Sequence, residues 1–161
     1  KFRPDQTEIE NFEKYLTGFW KTFIDKFEGM KDFVKSSEID AAAKFRNRDN
    51  GGLLYFRPIA LPQLVISILE TCFRTNISLS DSMSAYSSLE MCISAKPWER
   101  VLWDPENRTM IMKNATLVHL LLMYMYDQKL LKATEIKSLR KRYAKALEME
   151  LSNIDSVLDS L

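Results

Sequence analysis

Cations are the side chains in this sequence best placed to act on a partner, and they gather in two stretches. Lys44, Arg46, Arg48 and Arg57 surround the segment Asn47-Arg48-Asp49-Asn50-Gly51-Gly52, and Lys137, Arg140, Lys141, Arg142 and Lys145 follow one another near the C-terminal end. A glycine pair among guanidinium groups can cradle a phosphate, because backbone N–H groups and planar forks both suit its oxygens. The spacing fits no phosphate loop, since Gly-Lys-Ser/Thr is missing, and a solvated turn is the plainer reading of this stretch. In the second stretch Glu148, Glu150, Asp155 and Asp159 trail the cations. On one continuous helix that order opposes the dipole, a cost that phosphates would offset. Arg46, Arg48, Lys137, Arg140, Lys141, Arg142 and Lys145 are therefore the expected nucleic-acid contacts, although a basic run is more often a solvated face.

Reactive chemistry is harder to assemble. His119 is the single histidine, with no Asp, Glu or Cys at matched spacing, and reads as a satisfied, partly buried side chain rather than a ligand or base. Cys72 and Cys92 read as buried free thiols of a reducing compartment. Paired carboxylates, a nucleophile beside a base and a cofactor fingerprint are all missing, so no enzyme, cofactor or metal is expected. Asn76, Asn107 and Asn114 each begin an Asn-x-Ser/Thr triplet; turn and cap positions account for them better than glycans.

The elements that would carry these side chains are mostly helices. Asp5 and Glu8 form a capping signature, and Ile9, Phe12, Leu16, Phe19, Trp20, Phe23 and Phe27 make an aromatic core stripe that Gly29 breaks or bends. A second, weaker helix takes in Phe33 to Phe45. A helix from about 59–61 to 74, apolar on most sides, should be central. Ser80 caps a serine-rich helix to about 95, and Lys96-Pro97 ends it. Asn114 caps another helix over 115–128, and Thr134 caps a last one running to the C-terminus. Tyr143, Leu147, Leu151, Ile154, Leu158 and Leu161 give that helix a seam near coiled-coil spacing, open to packing on the body, to self-association or to another subunit. Between the helices, 101–112 changes period: Val101-Leu102-Trp103 and Met110-Ile111-Met112 flank Asp104-Pro105, which predicts a β-hairpin. The fold class is thus mainly α, a bundle-like single domain over 1–161 with one hairpin and a long helix over 134–161.

The chain has 161 residues, 46% hydrophobic and 28% charged, at net charge +1, an ordinary globular composition with no global field for nucleic acid or anionic membrane. The first twenty residues are charged and amphipathic rather than a secretory block, and the longest near-apolar run is too short to span a bilayer. A cytoplasmic protein without membrane contact is expected.

Leu53-Leu54-Tyr55-Phe56-Arg57-Pro58-Ile59-Ala60-Leu61, Pro97-Trp98, Val101-Leu102-Trp103-Asp104-Pro105 and Asn107-Arg108-Thr109-Met110-Ile111 resemble the C-terminal helical part of DGQHR-domain proteins. That family includes DndB-like proteins associated with DNA sulfur modification (phosphorothioation). The similarity spans about residues 50–128. It implies a part in bacterial DNA modification or in regulating a modification and defence locus. It also implies an absent N-terminal, ParB-like portion, because the Asp-Gly-Gln-His-Arg motif does not occur here. No catalytic residue carries over. Arg57, Trp98, Trp103 and Asp104 match the pattern in structural roles, with Arg57 expected to pair with Asp104 and the tryptophans to clamp the hairpin.

Overall fold

The computed structural model describes residues 3–47 and 49–161 and shows a mainly helical bundle with a small two-stranded antiparallel hairpin. Helix α1 (Gln6–Lys26) opens on the predicted capping box: the Asp5 carboxylate accepts the Glu8 N–H at 2.8 Å, and Glu8 accepts that of Asp5 at 2.9 Å. Its aromatic stripe divides. Phe19, Phe23 and Phe27 are buried, with Phe23 and Phe27 stacked at 4.2 Å and Tyr55 edge-on to both. Ile9, Phe12 and Leu16, expected in the core, are 45%, 64% and 42% exposed, because among the described residues no element covers 3–18.

The chain turns at Phe27, not at Gly29, because Phe27 leaves helical geometry while Gly29 lies inside α2 (Glu28–Lys35). Close approach explains the glycine: its N–H donates to the Tyr55 hydroxyl at 3.2 Å, and a Cβ there would meet that oxygen at 2.7 Å. The weaker helix expected over 33–45 is reduced to the end of α2 and a short α3 (Ala41–Phe45).

Helix α4 (Leu61–Thr75) starts and stops close to expectation, with Pro62 in its first turn and Asn76 in left-handed geometry after its end. It is not the central helix. Its buried face holds Leu64, Ser67, Ile68 and Thr71, whereas Ile66, Leu69 and Phe73 face outward. Ser78 rather than Ser80 caps α5 (Leu79–Ser87), which stops well short of 95. Beyond it the chain turns, and around Cys92 it bridges to Leu53 instead. The Ile93 N–H donates to Gly52 O at 3.0 Å and the Leu54 N–H to Met91 O at 2.7 Å, so these groups are committed to a crossing segment and not to a helix. Cys92 therefore sits outside any helix, and both thiols are half-buried rather than buried.

Strands β1 (Trp103–Asp104) and β2 (Thr109–Met110) pair antiparallel, Trp103 opposite Met110. The Asp104 carboxylate folds back to accept the Glu106 and Asn107 N–H groups, each at 3.0 Å, and the Asn107 amide at 2.8 Å. These bonds hold its pKa below the ordinary carboxylate value. Helix α6 (Ala115–Asp127) is the element surrounded by others, burying Leu117, Val118 and each residue from Leu120 to Met123. Asn114 precedes it without capping it; its amide donates to Val101 O at 2.9 Å and ties helix to hairpin.

The predicted long terminal helix is two. Helix α7 (Ala133–Ala146) begins after Lys132, whose N–H is accepted by Glu135 at 2.7 Å, so Thr134 lies within the first turn and caps nothing. It ends at a reversal where Glu148 has φ 55° and the Met149 N–H bonds Ala144 O at 2.9 Å. Helix α8 (Ile154–Leu158) then folds back, burying Ile154 and Leu158, while Leu151 stays 50% exposed. The coiled-coil seam is thereby consumed inside one chain. No helix among the described residues is long and apolar enough to cross a membrane.

Candidate phosphate-binding site

The glycine loop is divided: Asn47, Asp49 and Asn50 form the exposed turn expected, while the glycine pair after them is a buried junction rather than a phosphate cradle. Gly51 and Gly52 are buried with φ of 71° and 73°, geometry that only glycine adopts without strain. A Cβ on Gly51 would lie 2.5 Å from Ile93 and 2.8 Å from Trp103; one on Gly52 would lie 2.0 Å from Phe45 O. Arg57 reaches back across this turn. Its Nε donates to Gly51 O at 2.8 Å, and its terminal nitrogen donates both to the same oxygen and to Arg46 O, the latter at 3.2 Å. Arg46 in turn gives its Nε–H to Phe56 O at 2.8 Å. Burial, and next the nearby Arg46 charge, lower the Arg57 pKa. The expected Arg57–Asp104 pair does not form, since each side chain is occupied with backbone groups of its own segment. Arg46 is partly committed to the fold as well, and Arg48 lies outside the described residues.

Both tryptophans flank this junction. Trp98 is wholly buried, its indole N–H donating to Glu90 O at 2.6 Å and its carbonyl accepting the Leu102 N–H at 2.8 Å. Trp103, 2% exposed, lies beneath Gly51. The bond to Glu90 O satisfies the buried indole N–H of Trp98.

Helix α7 presents the other cations, divided between two faces. Lys137, Lys141 and Lys145 are exposed at four-residue steps, which sets them about 6 Å apart along one line. Arg140 is withdrawn from this set, because α8 brings Asp155 onto its guanidinium. Arg142 leans toward α6 and donates to the Thr116 hydroxyl at 2.5 Å. Arg142 and Lys145 also border an open cleft of ≈ 620 Å³ whose other wall is the hairpin, with Arg100 and Lys113. That volume is in the range of small-ligand sites.

Three carboxylates share this cleft, Asp104, Glu106 and Glu148. Asp104 is turned onto its own turn, and Glu106 faces Arg100 at 3.6 Å. Among the described residues no ion pair engages Lys113, Arg142 or Lys145. The formal balance of the cleft is one positive charge, four cations to three carboxylates, and the cations left without an ion pair are the ones free to meet a ligand. Arg100 and Lys113 were not singled out in the sequence. The hairpin they flank was legible, but nothing in their spacing shows that α7 would face them.

A second polar assembly was also missed. His119 of α6 meets two residues of α4: its Nδ1 is 2.9 Å from the Ser67 hydroxyl and its Nε2 is 3.1 Å from Glu70 Oε2. Glu70 holds Arg74, which donates to Leu130 O and approaches Glu135 at 3.5 Å. Burial is the first cause of a lowered His119 pKa, opposed by Glu70. Burial thus favours the neutral ring, with Nε2–H donating to Glu70 and the one Ser67 hydroxyl hydrogen shared between Nδ1 and Gln63 O, an assignment drawn from the network. Serine, histidine and glutamate in a row resemble a nucleophilic triad. Ser67, however, is 0% exposed in mid-helix, its hydroxyl also 2.8 Å from Gln63 O, and helical N–H groups around it are already used. The arrangement cross-braces α4, α6 and α7, and its buried polar atoms are satisfied. No cluster of His, Cys, Asp and Glu able to hold a metal occurs among the described residues.

The chain matches no protein-family model, no curated protein and no solved structure.

Proposed function

We propose that this chain is a non-catalytic helical module that contacts the phosphate backbone of DNA, through α7 and the hairpin cleft, in a DNA-modification or defence-associated protein. The resemblance supplies the biological setting. One observation carries the contact: Arg142 and Lys145 converge with Arg100 and Lys113 around an open cleft, and Lys137 and Lys141 extend the line of charge along α7. Such a surface grips backbone without reading bases, since none of these side chains is held in a rigid bidentate pose.

Electrophoretic mobility shift with duplex DNA tests the proposal. Neutralising about four phosphates gives a log–log salt slope near −4, so affinity falls about 10²-fold between 50 and 200 mM salt. The variant K137E/K141E/K145E alters only exposed side chains and should abolish the shift while its thermal unfolding stays cooperative. Equal binding by both proteins, or no binding by either at low salt, defeats the reading.

A protein-contact role is the second reading, favoured by the projecting turns of α1 with Ile9, Phe12 and Leu16 exposed on one stripe. Glu8 and Glu13 flank that stripe, so its partner must be basic at its edges.

A further inference from the structure

Helix α4 is patterned inside out for a monomer. Its inward face carries Ser67 and Thr71, both 0% exposed, beside Leu64 and Ile68. Its outward face carries Pro62, Ile66, Leu69 and Phe73, with the last three 48%, 38% and 90% exposed. The 4-3-4 spacing places all four side chains within one narrow stripe, the seam by which helices pair. An isolated exposed leucine needs no explanation, but a contiguous stripe on a helix whose buried face is partly polar marks an interface.

From this pattern we infer that α4 is a homodimer interface, its occupant the same face of a second copy, antiparallel across a two-fold axis. Complementarity selects that occupant. With the axis passing midway between Ile66 and Leu69, Ile66 meets Leu69 of the second copy and Phe73 meets the small Pro62. On one flank Gln63 faces Glu70, an amide donor against a carboxylate; on the other Val65 faces Cys72, both uncharged. No like charges oppose each other anywhere along the seam. Glu70 already bonds Arg74 and His119 within its own subunit, which offsets part of the cost of burying its carboxylate beside the seam. The exposed stripe of α1 is less suited to self-pairing: a parallel pair would set Glu8 against Glu13, and an antiparallel pair centred between Phe12 and Leu16 would set Glu13 against Glu13. An isologous contact of this kind closes at two subunits and leaves α7 and the hairpin cleft free. It is independent of the DNA reading.

Sedimentation velocity of the whole chain across a concentration series is the test, beside three variants. Wild type should sediment as a concentration-dependent dimer. L69D/F73D, altered only at outward side chains, should be monomeric with an unchanged helical circular-dichroism spectrum, whereas Phe12→Asp on α1 should dimerise as wild type does. Gln63→Glu reports direction: it sets a carboxylate against Glu70 of the second copy twice per dimer and should weaken association about threefold or more. A monomeric wild type at 100-fold the range of ordinary assay concentrations, about 10⁻⁴ M for a weak dimer, overturns the inference. So does a dimer that survives L69D/F73D or is lost in Phe12→Asp. An unchanged dimer in Gln63→Glu overturns the antiparallel register.

Discussion

Replacing Arg57 by methionine removes the guanidinium while keeping most of the apolar stem, and the structure makes its consequence calculable. Gly51 O loses both of its donors from this side chain, and Arg46 O loses one. A hydrogen bond involving a charged group contributes about 1.5–3 kcal/mol, and an orphaned buried carbonyl costs about 1–3. Arg57 is half-buried, and water can re-solvate part of the site, so the upper ends of these ranges do not apply together. A loss of about 3 kcal/mol follows, a large share of the roughly 5–15 kcal/mol that stabilises a domain. For a chain of this size the midpoint should fall by about 6–12 °C.

Urea unfolding followed by circular dichroism measures that loss directly, with Asp104→Asn as the decisive companion. If Arg57 paired with Asp104, as the sequence suggested, R57M and D104N would be strongly non-additive in the double variant. The observed geometry predicts additivity, because Asp104 serves its own hairpin turn and Arg57 serves the glycine junction. Arg57→Lys should lie between wild type and R57M, since an ammonium can reach one carbonyl but cannot span two. An R57M protein within about 0.5 kcal/mol of wild type, the scatter of ordinary surface substitutions, would refute the argument. Strong coupling to D104N would refute it equally.

Two further outcomes follow from named geometry. Gly52→Ala forces a Cβ to 2.0 Å from Phe45 O at a φ of 73°, so it should cost more than the about 1–2 kcal/mol of left-handed strain alone and should leave the chain largely unfolded near 37 °C. His119 is neutral when folded because burial lowers its pKa. Its sign is therefore that of a base that protonates first in the unfolded chain: stability is intact above about pH 6.5 and falls as pH drops below that value. Chemical denaturation at several pH values should show this decline in wild type and a flat response between pH 7.5 and 5.5 in His119→Gln. Glu135, whose pKa is lowered first by the Lys132 N–H, contributes a separate loss only at more acid pH. A parallel decline in both proteins would remove His119 as its source.

Local signals were legible and long-range ones were not, for definite reasons. The Asp5–Glu8 box, the body of α4 and the hairpin are each specified within a few residues, by capping chemistry, periodicity and a turn-forming Asp-Pro. The overextended α5 shows the limit: Cys92 and Ile93 continue an apolar helical period, but Gly52 and Leu54, some forty residues earlier, take the Ile93 N–H and the Met91 carbonyl. His119 shows it again, because the acid at its ring, Glu70, belongs to another helix, and no spacing within α6 reveals it. The first half of the α1 stripe, Ile9 to Leu16, departs from expectation for the opposite reason. A periodic apolar face records that something covers it, without recording whether the cover lies in the same chain. The same ambiguity hid the outward face of α4 behind a reading as the central helix.

The end of α7 changes what its cations mean. On a helix running to Leu161 they would sit toward the positive end of the dipole, and a phosphate partner would relieve an electrostatic cost. With the helix closed at Ala146 by the reversal at Glu148, Lys141, Arg142 and Lys145 occupy its last turns, where positive charge is favourable by about 0.3–1 kcal/mol for each group near the terminus. The cations are therefore stable without a ligand, and the case for phosphate rests on where α7 aims them. Lys145→Glu distinguishes the two helices by the size of its effect. A reversal at the C-terminal turn should destabilise the free protein by about 1 kcal/mol at low salt, fading as salt screens the terminus. In mid-helix the same change would be near neutral. Thermal unfolding of Lys145→Glu at 20 and 500 mM salt measures this without DNA present. No destabilisation at low salt would mean that α7 does not end where Glu148 turns the chain, and the cleft built against that end would go with it.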